Sequence, residues 1–398
     1  MIKFATRPNL IYPLQLLIFD TLRDVEVILI KHFFGYKNST LLSFLMFVGE
    51  FIVGLIFYLY YKKYLTKHKE GNFSFLLNLG AIRKKKQKED SKLKIAYFLV
   101  HTTLLKFFHY TLIFQNDKFL TLSRSAQQIF IEIFLIYLAI FYSYLLRLPL
   151  FKHQIFSLIV FGICALLAII TELIFQQFNT FLSYVQFIGI LIALFFITLI
   201  LSFGETIEKY LMEYDQLSPL HVMIFEGIIG LVISSIYNIY DKSFSDLTQV
   251  KKNLSNFQFV LFIFSLILYT VFIGGKNIYR LVTIKIFSPM TSTFVDYIFN
   301  PFYFIYYFLI EDDFLYHEKT NYAYFIVNLI LSFITSLFGC VYNEFLILFC
   351  CGLERDTHNQ VLQRAFLESD IDNFPDDNED NKEDGQLFEL INMNSINK

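Results

Sequence analysis

The sequence predicts an all-α, multi-pass membrane protein: ten transmembrane helices arranged as two inverted five-helix repeats. Three observations predict it. Of 398 residues, 56% are hydrophobic and 17% charged, against roughly a quarter charged in an ordinary soluble domain. Ten stretches stay apolar for the length needed to cross a bilayer, which is roughly 20 residues for about 30 Å of hydrocarbon. A short acid-and-glycine motif in the second stretch returns in the seventh. The composition excludes a soluble globular enzyme, a disordered chain and a disulfide scaffold, because so apolar a chain has more greasy surface than a soluble domain can bury.

The expected spans are 12–33, 41–61, 93–114, 122–146, 153–173, 180–201, 220–240, 257–277, 288–310 and 322–349. The first is the most polar, with Asp20, Arg23, Asp24 and Glu26 inside it. It does not read as a cleavable leader, since only Lys3 and Arg7 precede it and no small-residue cleavage site follows. The last is longer than a bilayer requires and is expected to tilt. Three longer polar segments separate or follow the spans: a basic loop at 62–92 centred on Lys84, Lys85 and Lys86, a polar loop at 241–256, and an acidic tail at 351–398 that reads as disordered. The organisation is a first five-helix repeat (1–174), a second (175–350) and the tail (351–398).

Orientation follows the basic residues of the short loops. With the N-terminus cytosolic, Lys3, Arg7, the 62–92 loop, Arg147, Lys152, Lys209, Arg280 and Lys285 fall on the cytosolic side. The far side receives Lys37, Lys118, Lys242, Lys251, Lys252 and Lys319. Both termini are therefore expected in the cytosol. Sequons at Asn38 and Asn253 then face the lumen or exterior, although one at Asn72 falls on the wrong side. There is no Trp, so Tyr supplies the interfacial belt, as at Tyr58, Tyr60, Tyr61 and Tyr64. Cys164, Cys340, Cys350 and Cys351 form no metal or disulfide pattern. The Cys350-Cys351 pair is either a palmitoylation site or inert.

The repeat is carried by the second and seventh spans. In the second, Glu50 is followed four residues later by Gly54-Leu55, and in the seventh, Glu226 is followed by Gly230-Leu231. The fourth span has Phe130-Ile131-Glu132 and the ninth Phe294-Val295-Asp296, each one acid in an apolar helix. Five spans are an odd number, so the second set enters the membrane upside down, the design of many carriers with a midplane site.

An ionised residue at a helix centre costs about 2.5–3.5 kcal/mol on insertion scales, so it needs a partner, a wet cavity or a neutral form. Asp20, Arg23 and Asp24 are spaced to pair within the first helix. Lys106 and His109 share a face of the third, where Lys106 is placed to meet an anion or Glu132, and His109 is either a titrating group or a packing histidine. Gln127 and Gln128 open the fourth helix and either bridge helices or read a polar solute. Glu205 and Lys209 are spaced as an i, i+4 pair. Asp20, Arg23, Asp24, Lys106, His109, Gln127, Gln128, Glu132, Glu205 and Asp296 are the expected substrate-pathway or coupling residues. Glu50, Glu226 and Lys276 are expected to be structural, with Glu50 and Glu226 pinning helix packing. No HExxH motif, phosphate loop or Cys/His ligand cluster is present in the sequence. No enzyme, metal, cofactor or nucleic-acid role is expected.

Gly49-Glu50-Phe51, then Glu208-Lys209-Tyr210 before Pro219-Leu220, then Phe225-Glu226-Gly227-Ile228-Ile229-Gly230-Leu231 resemble the drug/metabolite transporter superfamily. The likeness is greatest to the nucleotide-sugar-transporter-like F-group of solute carrier family 35, and it covers about residues 12–350. It implies ten helices, cytosolic termini, a central cavity lined by helices one, four, six and nine, and alternating access. The charge-rich first helix departs from the group, and Gln127-Gln128 stands where the group's helix-four Arg is expected.

The resulting expectation is a secondary transporter of a small polar or anionic metabolite, a nucleotide-sugar or related solute. It is expected in a Golgi, endosomal or lysosomal membrane rather than the plasma membrane. Its partners are the small-molecule substrate and the lipid bilayer, and a homodimer is compatible. The alternatives are a non-transporting membrane scaffold or adaptor acting through its acidic tail, or a lipid-modifying enzyme.

Overall fold

The computed structural model describes residues 2–4, 10–36, 39–67, 89–115, 124–146, 150–175, 181–215, 217–240, 250–298 and 321–348, with isolated positions at 148, 247, 301, 302 and 305. The basic loop core, most of the 241–256 loop's first half and the acidic tail with Cys350 and Cys351 lie outside the described residues. Residues up to Leu348 belong to one compact unit.

The described residues are almost entirely helical. The helices are α1 (Ile11–Ile28, extended by a π turn over Leu29–Phe33), α2 (Ser39–Lys67), α3 (Glu89–Gln115), α4 (Arg124–Leu146) and α5 (Lys152–Phe175). They continue with α6 (Phe181–Glu213), α7 (Pro219–Tyr240), α8 (Asn256–Ile286), α9 (Pro289–Tyr297) and α10 (Asn321–Tyr342). Seven of these, α2, α4, α5, α6, α7, α8 and α10, are long and apolar enough to cross a membrane. Their outer faces carry exposed aliphatic stripes, such as Ile155, Ile159, Ile163, Leu166 and Ile170 on α5, while Phe262, Tyr269 and Ile273 of α8 are buried. A chain with a greasy outside and a polar inside is an integral membrane protein.

Several expected boundaries differ. The last span, expected to reach 349 and to tilt for its length, is a helix of 22 residues that ends at Tyr342, and α2 runs on to Lys67. The helix expected to end at 201 runs on to Glu213, and the one expected to end at 277 runs on to Ile286. Hydropathy places helix ends where charge begins, but these charged residues are buried against other helices. The ninth element is only nine residues long, Pro289–Tyr297, and most of 299–310 lies outside the described residues. Ser288-Pro289 causes its separation from α8. Proline cannot continue the hydrogen-bond ladder and disfavours helical geometry in the residue before it. Ser288 is accordingly extended (φ −157°, ψ 162°) and caps the new helix, accepting from Thr291 N. A capping box of Ser255 and Gln258 starts α8.

The two halves interleave. α2 packs along α7, α1 along α8, α8 across α2, α4 against α5 and α6, and α5 against α10, with α3 between α6 and α7. Small residues set the closest approaches, as in other membrane helix pairs. A Cβ added at Gly274 of α8 would meet the Gly49 carbonyl oxygen of α2 at 2.7 Å. One added at Gly227 of α7 would stand 2.7 Å from the Phe51 nitrogen and 3.0 Å from its Cα.

A short strand β1 (Ile2–Phe4) pairs antiparallel with β2 (Leu346–Leu348), Lys3 opposite Ile347. The chain before α1 and the chain after α10 therefore lie on the same side. An odd number of crossings between them would place them on opposite sides.

Because the Gly227 contact is with backbone, it cannot be relieved by a rotamer change. Gly227→Ala is expected to destabilise the folded protein by about 1–3 kcal/mol, the usual cost of overpacking. Gly162, with nothing within 4 Å of an added Cβ, is the control, and its Ala variant is expected to be neutral or slightly stabilising. Denaturant titration in micelles checks the pair.

Candidate functional site

The polar interior is organised by α8. Its residues Lys276, Asn277 and Arg280 are buried, and Lys276 and Arg280 stand one turn apart. The adjacent Gly274 and Gly275 carry no side chains, so α1 and α2 approach closely enough for their acids to reach these cations.

On one side, Lys276 Nζ lies 2.7 Å from Asp20 Oδ1 of α1 and 3.2 Å from Asp296 Oδ2 of α9. Arg23 closes the group, 2.6 Å from Asp20 and 2.5 Å from Asp24. The internal pairing expected within α1 is thus present, with Lys276 as a second cation. Lys276, expected as a structural residue, stands at the centre of this group.

On the other side, Arg280 contacts Glu208 of α6 at 2.9 Å and Glu205 at 3.6 Å. Lys106 of α3 lies 2.9 Å from Glu208, 3.8 Å from Glu50 of α2, and in direct contact with Glu226 of α7. Uncharged donors complete the set. Asn277 Nδ2 donates to Glu50 at 2.7 Å, Thr102 Oγ1 lies 2.9 Å from Glu226 Oε1, and Thr293 Oγ1 donates to Glu205 at 2.9 Å. Glu50, Glu208 and Glu226 are at most 1% exposed. The short helix α9 touches both groups, through Thr293 on one and Asp296 on the other.

Several expected placements change. Lys106 does not meet Glu132. Instead it turns toward α2, α6 and α7, and Glu132 on α4 accepts a hydrogen bond from Thr335 of α10 at 2.8 Å. Glu205 and Lys209 do not pair. Lys209 is buried, binds Glu213 at 2.6 Å and donates to the Lys285 carbonyl at 2.8 Å, satisfying one of the open carbonyls at the end of α8. Arg280 and Lys285 are not loop residues, since both lie in α8. Glu50 and Glu226 do sit at the α2 and α7 packing interface, yet both also face Lys106, inside the charge network. The side chains of His109, Gln127 and Gln128 lie outside the described ones.

Glu208, Arg280, Asn277, Thr102 and Thr293 were not among the expected site residues. The available signal was the spacing of Lys276 and Arg280 at i, i+4, which a hydropathy window cut in two. Between α4, α9 and α10 lies a partly open pocket of about 10 Å3, lined by Ile131, Leu135, Phe294, Tyr297, Ser332, Thr335 and Ser336. That is room for about one water.

No protein-family model and no curated protein matches the chain.

Removing one member of a buried ion pair leaves the other uncompensated, at a cost of about 3–5 kcal/mol. Arg280→Ala is expected to fall in that range, since it strands Glu208 and Glu205. The double variant Arg280→Met with Glu208→Gln is expected to recover part of the loss. A double-mutant cycle on unfolding midpoints in detergent measures the coupling.

Proposed function

We propose that the protein is a secondary transporter of the drug/metabolite transporter type, moving a small polar metabolite by alternating access. The observation that carries this reading is the buried charge network. Eleven ionisable side chains, four cations and seven carboxylates, join seven helices drawn from both halves of the chain. At a few kcal/mol per intramembrane charge, such a network is a large standing cost for a purely structural bundle. Intramembrane ionisable residues mark substrate and ion paths by default.

Two further observations support the ten-helix inverted-repeat layout. Exchanging each helix for the one five places along carries the α1–α8 contact into α6–α3, α2–α8 into α7–α3, α4–α6 into α9–α1, and α4–α5 into α9–α10, all of which are contacts of this chain. The α2–α7 and α5–α10 contacts map onto themselves. The pairing of β1 with β2 also requires an even number of crossings, which the seven most apolar helices alone do not supply.

The network narrows the expected cargo. Arg23, Lys106, Lys276 and Arg280 are already held by carboxylates, and acids outnumber bases. An anion has to displace those acids, whereas a neutral polar or cationic solute does not. The likeness to nucleotide-sugar-transporter-like carriers therefore supports the architecture better than the anionic cargo. Cytosolic termini remain part of the proposal on the basis of loop charge, and an endomembrane location on the basis of the family resemblance.

A specific observation favours a second reading. Among the described residues, the pocket between α4, α9 and α10 has room for about one water, and so closely filled an interior suits a scaffold. Flux decides between the two. Purified protein reconstituted in vesicles is expected to move part of a mixed metabolite pool, read by mass spectrometry. Lys106→Ala and Asp296→Asn are each expected to cut the rate about tenfold, which is about 1.4 kcal/mol in the barrier. Flux that survives both substitutions unchanged removes the site assignment. Absence of flux across the whole pool favours the scaffold.

A further inference from the structure

Three carboxylates surround Lys106: Glu226 in direct contact, Glu208 at 2.9 Å and Glu50 at 3.8 Å. Glu208 is also gripped by Arg280, whose NH2 lies 3.0 Å from Oε1 and 2.9 Å from Oε2. Arg280 therefore accounts for the charge of Glu208. Lys106 is left with one positive charge for two acids, Glu50 and Glu226, which are 1% and 0% exposed. With both ionised, one negative charge stays uncompensated in a dry interior, the costliest arrangement a buried ion pair can take.

The hydrogen bonds allow the neutral form. The Thr102 hydroxyl lies 3.1 Å from the Leu99 carbonyl and 2.9 Å from Glu226 Oε1. It has one proton to give. When that proton goes to the carbonyl, the bond to Glu226 is complete only if the acid supplies the hydrogen. Glu50 Oε1 is committed to Asn277, while Glu50 Oε2 is buried with no hydrogen-bond partner among the described residues. A carboxylic O–H is far cheaper to leave there than a bare carboxylate oxygen.

We propose that Glu50 and Glu226 together bind one exchangeable proton, which makes the α2–α7 crossing a proton-coupling site. Its use in transport rests on the reading above, but the proton itself does not. The two acids occupy matching positions of the repeated motif, one in each half, and flank the same ammonium. The charged groups facing them are Lys106 from α3, Glu208 and Glu205 from α6, and Arg280 from α8. His109 follows Lys106 by three residues on α3, with a side chain outside the described ones. The ammonium already occupies the space between the carboxylates and would repel a metal ion placed there. Coupling is a plain proton exchange: the carboxylic O–H breaks, the carboxylate keeps the electron pair, and the proton passes to water when the site opens.

Infrared difference spectroscopy on the full-length protein in lipid nanodiscs tests this. At neutral pH the wild type is expected to show the C=O band of a protonated carboxyl that shifts in D2O and disappears on alkalinisation. Glu50→Gln and Glu226→Gln are each expected to abolish it, because the amide takes the neutral role and the remaining acid ionises beside Lys106. Lys106→Met is expected to roughly double it, because both acids then go neutral without a nearby cation. The proposal is overturned if the wild type has no such pH-sensitive band, if the band survives both Gln variants, or if sodium at fixed pH displaces it. The wild-type titration requires no substitution, so a variant that misfolds does not block the test. A band that behaves as expected without vesicle flux leaves the proton site standing and removes the transport reading. Flux without the band removes only the proton site.

Discussion

Two cations one helical turn apart, Lys276 and Arg280, hold the interior of this protein together. Each is a charge in a bundle whose surroundings are lipid, and neither can be left unpaired. The packing of six other helices follows from that constraint. α1 brings Asp20 to Lys276 and α9 brings Asp296, while α6 brings Glu208 and Glu205 to Arg280. Through Glu208 the requirement passes to Lys106 of α3, and through Lys106 to Glu50 of α2 and Glu226 of α7. Lipid tails are as apolar as leucine, so greasy faces alone do not choose partners in a membrane. The charges and the glycine contacts do. Gly274 and Gly275 beside the cations let α1 and α2 come near enough for short carboxylate side chains to reach.

Much of this was legible in the amino acids. Apolar runs located the seven helices long and apolar enough to cross a membrane, because a membrane segment must satisfy every backbone group internally and so keeps one unbroken pattern over its length. Pairing within α1 was legible because i, i+3 and i, i+4 contacts depend only on helix geometry. The failures share a cause. Hydropathy ends a helix at its first charges, so α6 and α8 were cut short at Leu201 and Asn277, and of the residues beyond the cuts Glu205 alone was expected in the pathway, while Lys209 and Arg280 were assigned to the cytosolic side. Glu208, Lys209 and Arg280 are all buried in the bundle. Long-range choice was not legible either. Chain adjacency suggested Glu132 as the partner of Lys106, whereas the interleaving of the halves brings Glu226, 120 residues away. The likeness of the Glu50 and Glu226 motifs pointed to packing, and both glycine-flanked acids do sit at a helix crossing. What the motif could not reveal is that a third helix places an ammonium between them.

Acids exceed bases in both parts of the network. A bundle held together for stability alone has no reason to keep such a surplus, since replacing a buried ion pair by well-packed apolar residues is often neutral or stabilising. A surplus that is balanced by something exchangeable has a different consequence. The fold then depends on what occupies the site, and occupancy can change the relative stability of two arrangements only to the extent that the occupant binds them unequally.

The element placed to feel such a change is α9. Ser288-Pro289 frees it from the end of α8, so it is not carried rigidly by that helix, and it is tethered by polar contacts on opposite sides. Thr293 donates to Glu205 in the Arg280 group, Asp296 meets Lys276 in the other group, and Thr291 Oγ1 bonds Asn343 beyond α10 at 2.6 Å. Each is a single contact of modest net strength, whereas the Lys276 and Arg280 groups are multiply bonded. The tie that α9 makes to the two charge groups is thus weaker than either group. An interior built this way can keep both cations paired, fixed one turn apart on α8, while the contacts of α9 are remade, which a uniformly apolar core of the same size cannot do.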